Sequence, residues 1–437
     1  MNHIQTGFSS FFSKIIIGML LMFFAYTCWT AFETSKQFFG GSTTSLAIVL
    51  GIFIILLLLI ASILQYRFTD KQFLIFLLSA SILVRLLVVF FVDTPFIGDM
   101  KSTYESAKQV ALGNNVDAVS QLPFIIYESL IIRVFGDTTF MLQLCNILFC
   151  AGTSFFIYRI ASMVFQEECG RIASIFYALY IPNILLSSIL TAEPMAIFLF
   201  YCACYILLHK GLSHSYMWIV SAILFAFSNM IFPIGLFFPI FIIGYVLLIE
   251  MFQSATKQGV LLKTIGVLAM FYATHFGVNY GIQAMGMPQY TISNETYVQS
   301  VLIGKQQSKT ETVQSQNMKE HIDQKLKEIE TERYTFLKPT IAQLLDEGMN
   351  SVVFKCEKLI YIAITLFMTI ALLHFLIRKQ QNEGYMLFTL LVLGYIGAKL
   401  CNIDVAYSNL AVPSLFILQS FGVYMSYFYC QKIFFKK

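Results

Sequence analysis

The stretch Phe96-Ile-Gly-Asp99-Met-Lys-Ser-Thr-Tyr104-Glu-Ser-Ala107 puts a carboxylate shortly after a long apolar run and is followed by Gly113, Pro123, Tyr127 and Gly136. An acid opening a short helix just outside a membrane span is placed to take a proton at the lipid–water boundary. Asp99 is equally a sound helix cap, and the spacing predicts a helix from about Met100 to Leu112, closed by Gly113. Arg85 falls inside an apolar run, about two turns from its outer end; there it either faces a partner or wet cavity, or extends its head to the interface. Glu193 precedes Pro194 at the start of another run, where the helix dipole favours a carboxylate whether or not it reacts. Asp93 reads as a boundary residue and Asp404 as an external acid without an assigned role. The histidines form no HxH or HExxH pattern, and there is no phosphate loop or dinucleotide fingerprint, so neither a metal nor a cofactor is expected. His275 and His374 fall inside apolar runs, where a hydrogen bond between helices is the expected role.

The elements that must hold these residues follow from composition. Of 437 residues, 58% are hydrophobic and only 12% charged, and the mean hydropathy is +0.74; no soluble fold hides that excess. The 44 Phe and 23 Tyr gather in part near the ends of apolar runs, as aromatics do at membrane interfaces. A net charge of +4, dispersed along the chain, argues against a nucleic-acid surface. The nine cysteines show neither a CxxC spacing nor a matched external pair.

Apolar runs predict about twelve spans (11–13), near 15–32, 45–65, 72–92, 137–164, 171–190, 194–210, 215–232, 234–250, 259–280, 353–377, 385–401 and 408–430. The fold class expected is therefore an all-α polytopic membrane protein whose first run, Ile15 to Ala31, stays on as a span. Arg67, Lys71, Arg171, Lys210, Lys257, Arg378, Lys379, Lys432, Lys436 and Lys437 fall on alternate sides, whereas the turns near 191–193, 233 and 402–407 carry no Lys or Arg. Both termini are expected in the cytoplasm and both long loops outside. The first loop, 93–136, is expected on the membrane surface; the second is expected to be a small external subdomain with an amphipathic helix or hairpin carrying Ile322, Leu326, Ile329 and Phe336. The organisation expected is two N-terminal spans (1–71), a membrane module (72–280), the external subdomain (281–352) and three C-terminal spans (353–437).

The pattern Asp99-x4-Tyr104-x2-Ala107, with Gly113, Pro123 and Gly136, resembles the first external loop of GT-C superfamily glycosyltransferases, the class of protein O-mannosyltransferases and aminoarabinose transferases. The resemblance continues through Asn146, Tyr158, Arg171-Ile-Ala-Ser, Pro182 and Thr191-Ala-Glu193, covering roughly 80–210. It is looser at Phe354-Lys355-Cys-Glu-Lys358 and from Tyr407 to Pro413. The chain departs at Ala406, where bacterial members commonly carry Arg, and in having two spans before the one that leads to Asp99. The resemblance implies a GT-C-like fold that transfers a sugar from a polyprenyl-phosphate donor to an external acceptor: an envelope glycan, a lipid or a protein. Asp99 is then the general base, Tyr104, Glu193 and Tyr407 contact substrate or donor, and Arg85, Arg133, Lys355 and Lys358 are the cations that could meet the donor phosphate. A dozen spans with one large external loop would also suit a transporter, flippase or polymerase of lipid-linked glycans, or a non-catalytic relative.

Overall fold

The computed structural model describes residues 2–36, 42–66, 68–91, 99–116, 122–210, 216–232, 242–246, 257–288, 347–378, 384–400 and 407–434. Asp93, Asp404, Ala406, most of the expected external subdomain and most of the run 234–250 lie outside them. The order of helices is α1 (Asn2–Ser35), α2 (Thr43–Tyr66), α3 (Asp70–Phe91), α4 (Asp99–Ala111), α5 (Leu122–Phe135), α6 (Thr139–Val164), α7 (Glu167–Ala178), α8 (Ile181–Leu186), α9 (Glu193–Lys210), α10 (Met217–Ile231), α11 (Lys257–Ala284), α12 (Glu347–Ile377), α13 (Tyr385–Leu400) and α14 (Tyr407–Phe434). No strand occurs among the described residues. Among the described residues, seven helices (α1, α2, α3, α6, α11, α12 and α14) are long and apolar enough to cross a membrane, and α9, α10 and α13 are shorter apolar helices. The chain is an all-α membrane protein.

The most apolar span is the least buried, and the least apolar span is the most buried. The α2 stretch Thr43–Ile63 is the most apolar, with mean hydropathy 3.3, yet only 17% of it is buried in protein; the α14 stretch Leu410–Ile433 has 1.3 and is 78% buried. A helix that faces lipid must be apolar outside, whereas a central helix can carry Ser414, Gln419 and Ser420, all buried. Lipid tails are as apolar as leucine, so close packing and hydrogen bonds between helices do the holding. Gly422 of α14 lies so close to α12 that a Cβ there would overlap the Phe367 carbonyl. Pro413 interrupts the α14 ladder, and Tyr201 of α9 braces that turn, its hydroxyl donating to the Leu410 carbonyl at 2.8 Å beside Ser414 Oγ at 2.7 Å. Ser221 and Ser228 of α10 donate to the Ala203 and Ala196 carbonyls of α9. His275 meets Asn229 at 3.3 Å, tying α11 to α10 as expected of an intramembrane histidine.

The expected span 171–190 is not one helix. It breaks at Leu179–Tyr180 into α7 and the short α8, with Pro182 in the first turn of α8. Proline cannot continue the α7 ladder, and it disfavours helical geometry at the residue before it. After α8 the chain unwinds through 187–192 and is held by α6: Gln143 donates to the Ser188 carbonyl and Asn146 to the Ile189 carbonyl, both at 2.9 Å.

Candidate functional site

The α4–α5 hairpin lies at the end of the bundle where α3 finishes and α6 begins. On α4, Tyr104, Ala107 and Val110 face inward, while Lys101 and Glu105 stay exposed. Gly113 at φ +89° ends the helix, with its N–H on the Val110 carbonyl and that of Asn114 on Gln109. On α5 the inward stripe is Ile125, Glu128, Ser129 and Ile132, and Gly136 at φ +86° closes that helix. The two inward faces meet in one apolar cluster with Leu142 of α6 and Leu190.

Polar groups clamp the hairpin. Arg133 donates to the carbonyls of Ala111 (2.9 Å) and Val110 (2.7 Å), capping the last turn of α4. Lys108 pairs with Asp137 at 2.7 Å, and the Tyr104 hydroxyl donates to the same carboxylate in a very short contact. The Lys108 and Tyr104 hydrogen bonds hold the Asp137 carboxyl below its usual range. Burial, then the hydrogen bond to Asp137, raises the Tyr104 phenol, so it remains a neutral donor.

Two ionisable side chains here have no counter-charge among the described residues. Glu128 is 1% exposed, its Oε2 has no hydrogen-bond partner among the described residues, and burial pushes its pKa to about 8. Arg85 is fully buried on α3. Its Nη1 donates to the carbonyl (2.9 Å) and hydroxyl (2.6 Å) of Ser81, whereas Nε and Nη2 have no partner among the described residues. Ser81 stands at the middle of Asp70–Phe91, so the guanidinium lies near mid-height of α3, beside the Cys150 thiol. It is directed into the bundle, and the outward extension that the sequence left open is not adopted.

Asp99 is the first residue of α4, and only its backbone is described. Its neighbour Met100 packs, with Val88 of α3 and Ile181 of α8, onto Leu185 and Ile189. Val88 is one turn beyond Arg85, so α4 starts level with the last turns of α3. Leu179 and Tyr180, just before Ile181, line an apolar slot of about 130 Å³. Its other walls include Leu57 of α2, Ile364 of α12 and Phe416 and Gln419 of α14. The Gln419 Oε1 is buried without a partner among the described residues.

Of the residues singled out in the sequence, Arg85 and the start of α4 lie along α3 near the α7–α8 junction, whereas Tyr104 packs in the α4–α5 cluster with Leu142 and Leu190. Glu193 opens α9 as expected and is half-buried. Lys355 and Lys358 are elsewhere, on α12, which packs against α1, α2 and α14; Lys355 is exposed and Lys358 buried beside buried Glu357. Tyr407 opens α14, its side chain outside the described set. Sequence reasoning missed Glu128, Lys108 and Asp137. The signal for Glu128 was present as a lone acid inside the apolar string Phe124-Ile-Ile-Tyr-Glu-Ser-Leu-Ile-Ile.

No protein-family model matches this chain, and no curated protein matches it.

Proposed function

We propose that the protein is a GT-C-type membrane glycosyltransferase with about twelve spans, both termini in the cytoplasm, and its site facing outside. It moves a sugar from a polyprenyl-phosphate donor to an external acceptor. The observation that carries this reading is the corner at the α7–α8 break: one acid-opened helix and one apolar slot share it, because Leu179 and Tyr180 line the slot and Ile181 packs in the cluster that holds Met100. An acid for proton transfer beside a place for hydrocarbon is what a lipid-carried donor requires.

The reaction is an inverting displacement. Asp99 takes the proton of the acceptor hydroxyl as that oxygen forms its bond to the anomeric carbon, and the bond from this carbon to the phosphate oxygen breaks. The electron pair leaves with polyprenyl phosphate. Arg85, near mid-height of α3 and with two nitrogens lacking a partner among the described residues, is the cation best suited to draw that phosphate inward; Lys358, on α12, is the alternative. Glu193 and Tyr407 open helices and serve as substrate contacts from their N-terminal ends.

Purified protein in lipid, offered a mixed pool of polyprenyl-phosphate sugars, is expected to transfer sugar, and Asp99→Asn is expected to stop transfer without unfolding the chain. Because asparagine also caps helices, near-normal transfer by the variant removes Asp99 as base. The broken α7–α8 helix favours a second reading, a transporter of lipid-linked glycans, since such proteins bind substrate at interrupted helices. Movement of a lipid-linked glycan across vesicles, undiminished by Asp99→Asn, selects that reading.

A further inference from the structure

Glu128 lies on the α5 stripe that meets α4, between Ile125 and Ile132. Cations are close at hand, yet each is engaged elsewhere: Arg133, just over one turn along α5, holds the Val110 and Ala111 carbonyls, and Lys108 of α4 holds Asp137. Among the described residues, the remaining ionisable groups on the elements packed here are Tyr104 on α4, Tyr127 on α5, Cys145 on α6 and Glu193, next to Ala192, which packs on Phe124; α10, which also packs on α5, carries none. Burial raises both phenols, so they stay neutral and add no second negative charge. A neutral carboxyl fits this interface, whereas a carboxylate there would be desolvated and unopposed.

We propose that Glu128 is a positioning residue: while it carries a proton it lets α4, and Asp99 with it, stay docked on α5 and α6, and loss of that proton to water releases α4. The inference deepens the glycosyltransferase reading, since what docks is the helix that Asp99 opens. The direction follows from linkage. The docked state holds the proton more tightly than an open state with the ordinary value of 4.5, so docking is strongest below pH 4.5 and weakens until the pH passes about 8.

The test is amide hydrogen exchange over residues 99–111 in the purified full chain in lipid nanodiscs, at pH 6.5 and 9.0, corrected for intrinsic exchange. In the wild type the protection of α4 is expected to fall about 30-fold between the two pH values. In Glu128→Gln, an uncharged side chain of the same shape, it is expected to stay level. A level wild type, an equal fall in Glu128→Gln, or failure of that variant to fold at pH 6.5 overturns the proposal. Glu128→Leu gives a second check, because it too should lose the pH dependence. Exchange needs no turnover, so it stands apart from the function assay: absence of transfer in every variant sinks the glycosyltransferase reading and leaves the docking result intact. Where transfer occurs, Glu128→Gln should retain at pH 9.0 the activity that the wild type loses.

Discussion

The bundle buries an arginine at each of two levels and treats them differently. Arg171, in the first turns of α7, is 5% exposed and bridges two carboxylates, Asp70 at the start of α3 (3.0 Å) and Glu167 one turn back; its guanidinium also lies over the Phe73 ring. Arg85, fifteen residues along α3 from Asp70, has no carboxylate partner among the described residues and is met by the Ser81 oxygens and the Cys150 thiol. A buried charge satisfied by counter-charges joins elements; one left short of partners costs stability and persists where a ligand or a second state completes it. The Arg171 cluster therefore reads as a joint between α3 and α7, and the region from Arg85 to Glu128 as the working end.

The largest effect that would sharpen this contrast is on catalysis. Asp99→Asn is expected to lower sugar transfer by about 10²–10⁴-fold, the usual range for a lost general base, while thermal unfolding in detergent stays near wild type. A drop in stability with retained transfer would return Asp99 to a capping role.

At the joint, Arg171→Met is expected to destabilise the protein by about 2 kcal/mol. That is below the range for breaking a fully buried pair, because the Asp70 and Glu167 side chains are 56% and 42% exposed and can turn to water. Arg85→Met should act in the opposite sense, neutral or stabilising by about 1 kcal/mol, because it removes a buried charge that no counter-charge among the described residues offsets. The same variant should weaken binding of a polyprenyl-phosphate sugar. Melting curves of the two variants side by side settle the contrast; equal losses at both arginines would erase it.

What could be read from the sequence divides along the same line. Local signals carried α4 from Asp99 to Gly113, the start of α9 at Glu193-Pro194 and the apolar helices, because caps, glycines and apolar runs act within a few residues. The Asp70–Arg171 bridge joins residues 101 positions apart, and no local pattern announces it. The break in 171–190 was visible as Pro182 but was overridden by the apolar character of the run. Glu128 escaped notice because its meaning comes from where Arg133 and Lys108 turn, a matter of tertiary packing. Lys355 and Lys358, grouped in the sequence with Arg85 as cations, are placed on α12 rather than against the α4–α5 hairpin.

The smallest expected effect concerns Tyr104, for which the sequence suggested contact with substrate. Its hydroxyl is engaged by Asp137 and its ring lies under the Lys108 ammonium at 4.8 Å, so the side chain links α4 to the turn before α6. Tyr104→Phe keeps the ring and removes one hydrogen bond, and the expected cost is about 1 kcal/mol in the stability of the hairpin. If linking is its work, the KM for donor stays constant and only the melting temperature and the exchange protection of α4 fall. A raised KM at unchanged stability would instead put the phenol on the substrate, and would mean that the Asp137 contact opens when substrate binds.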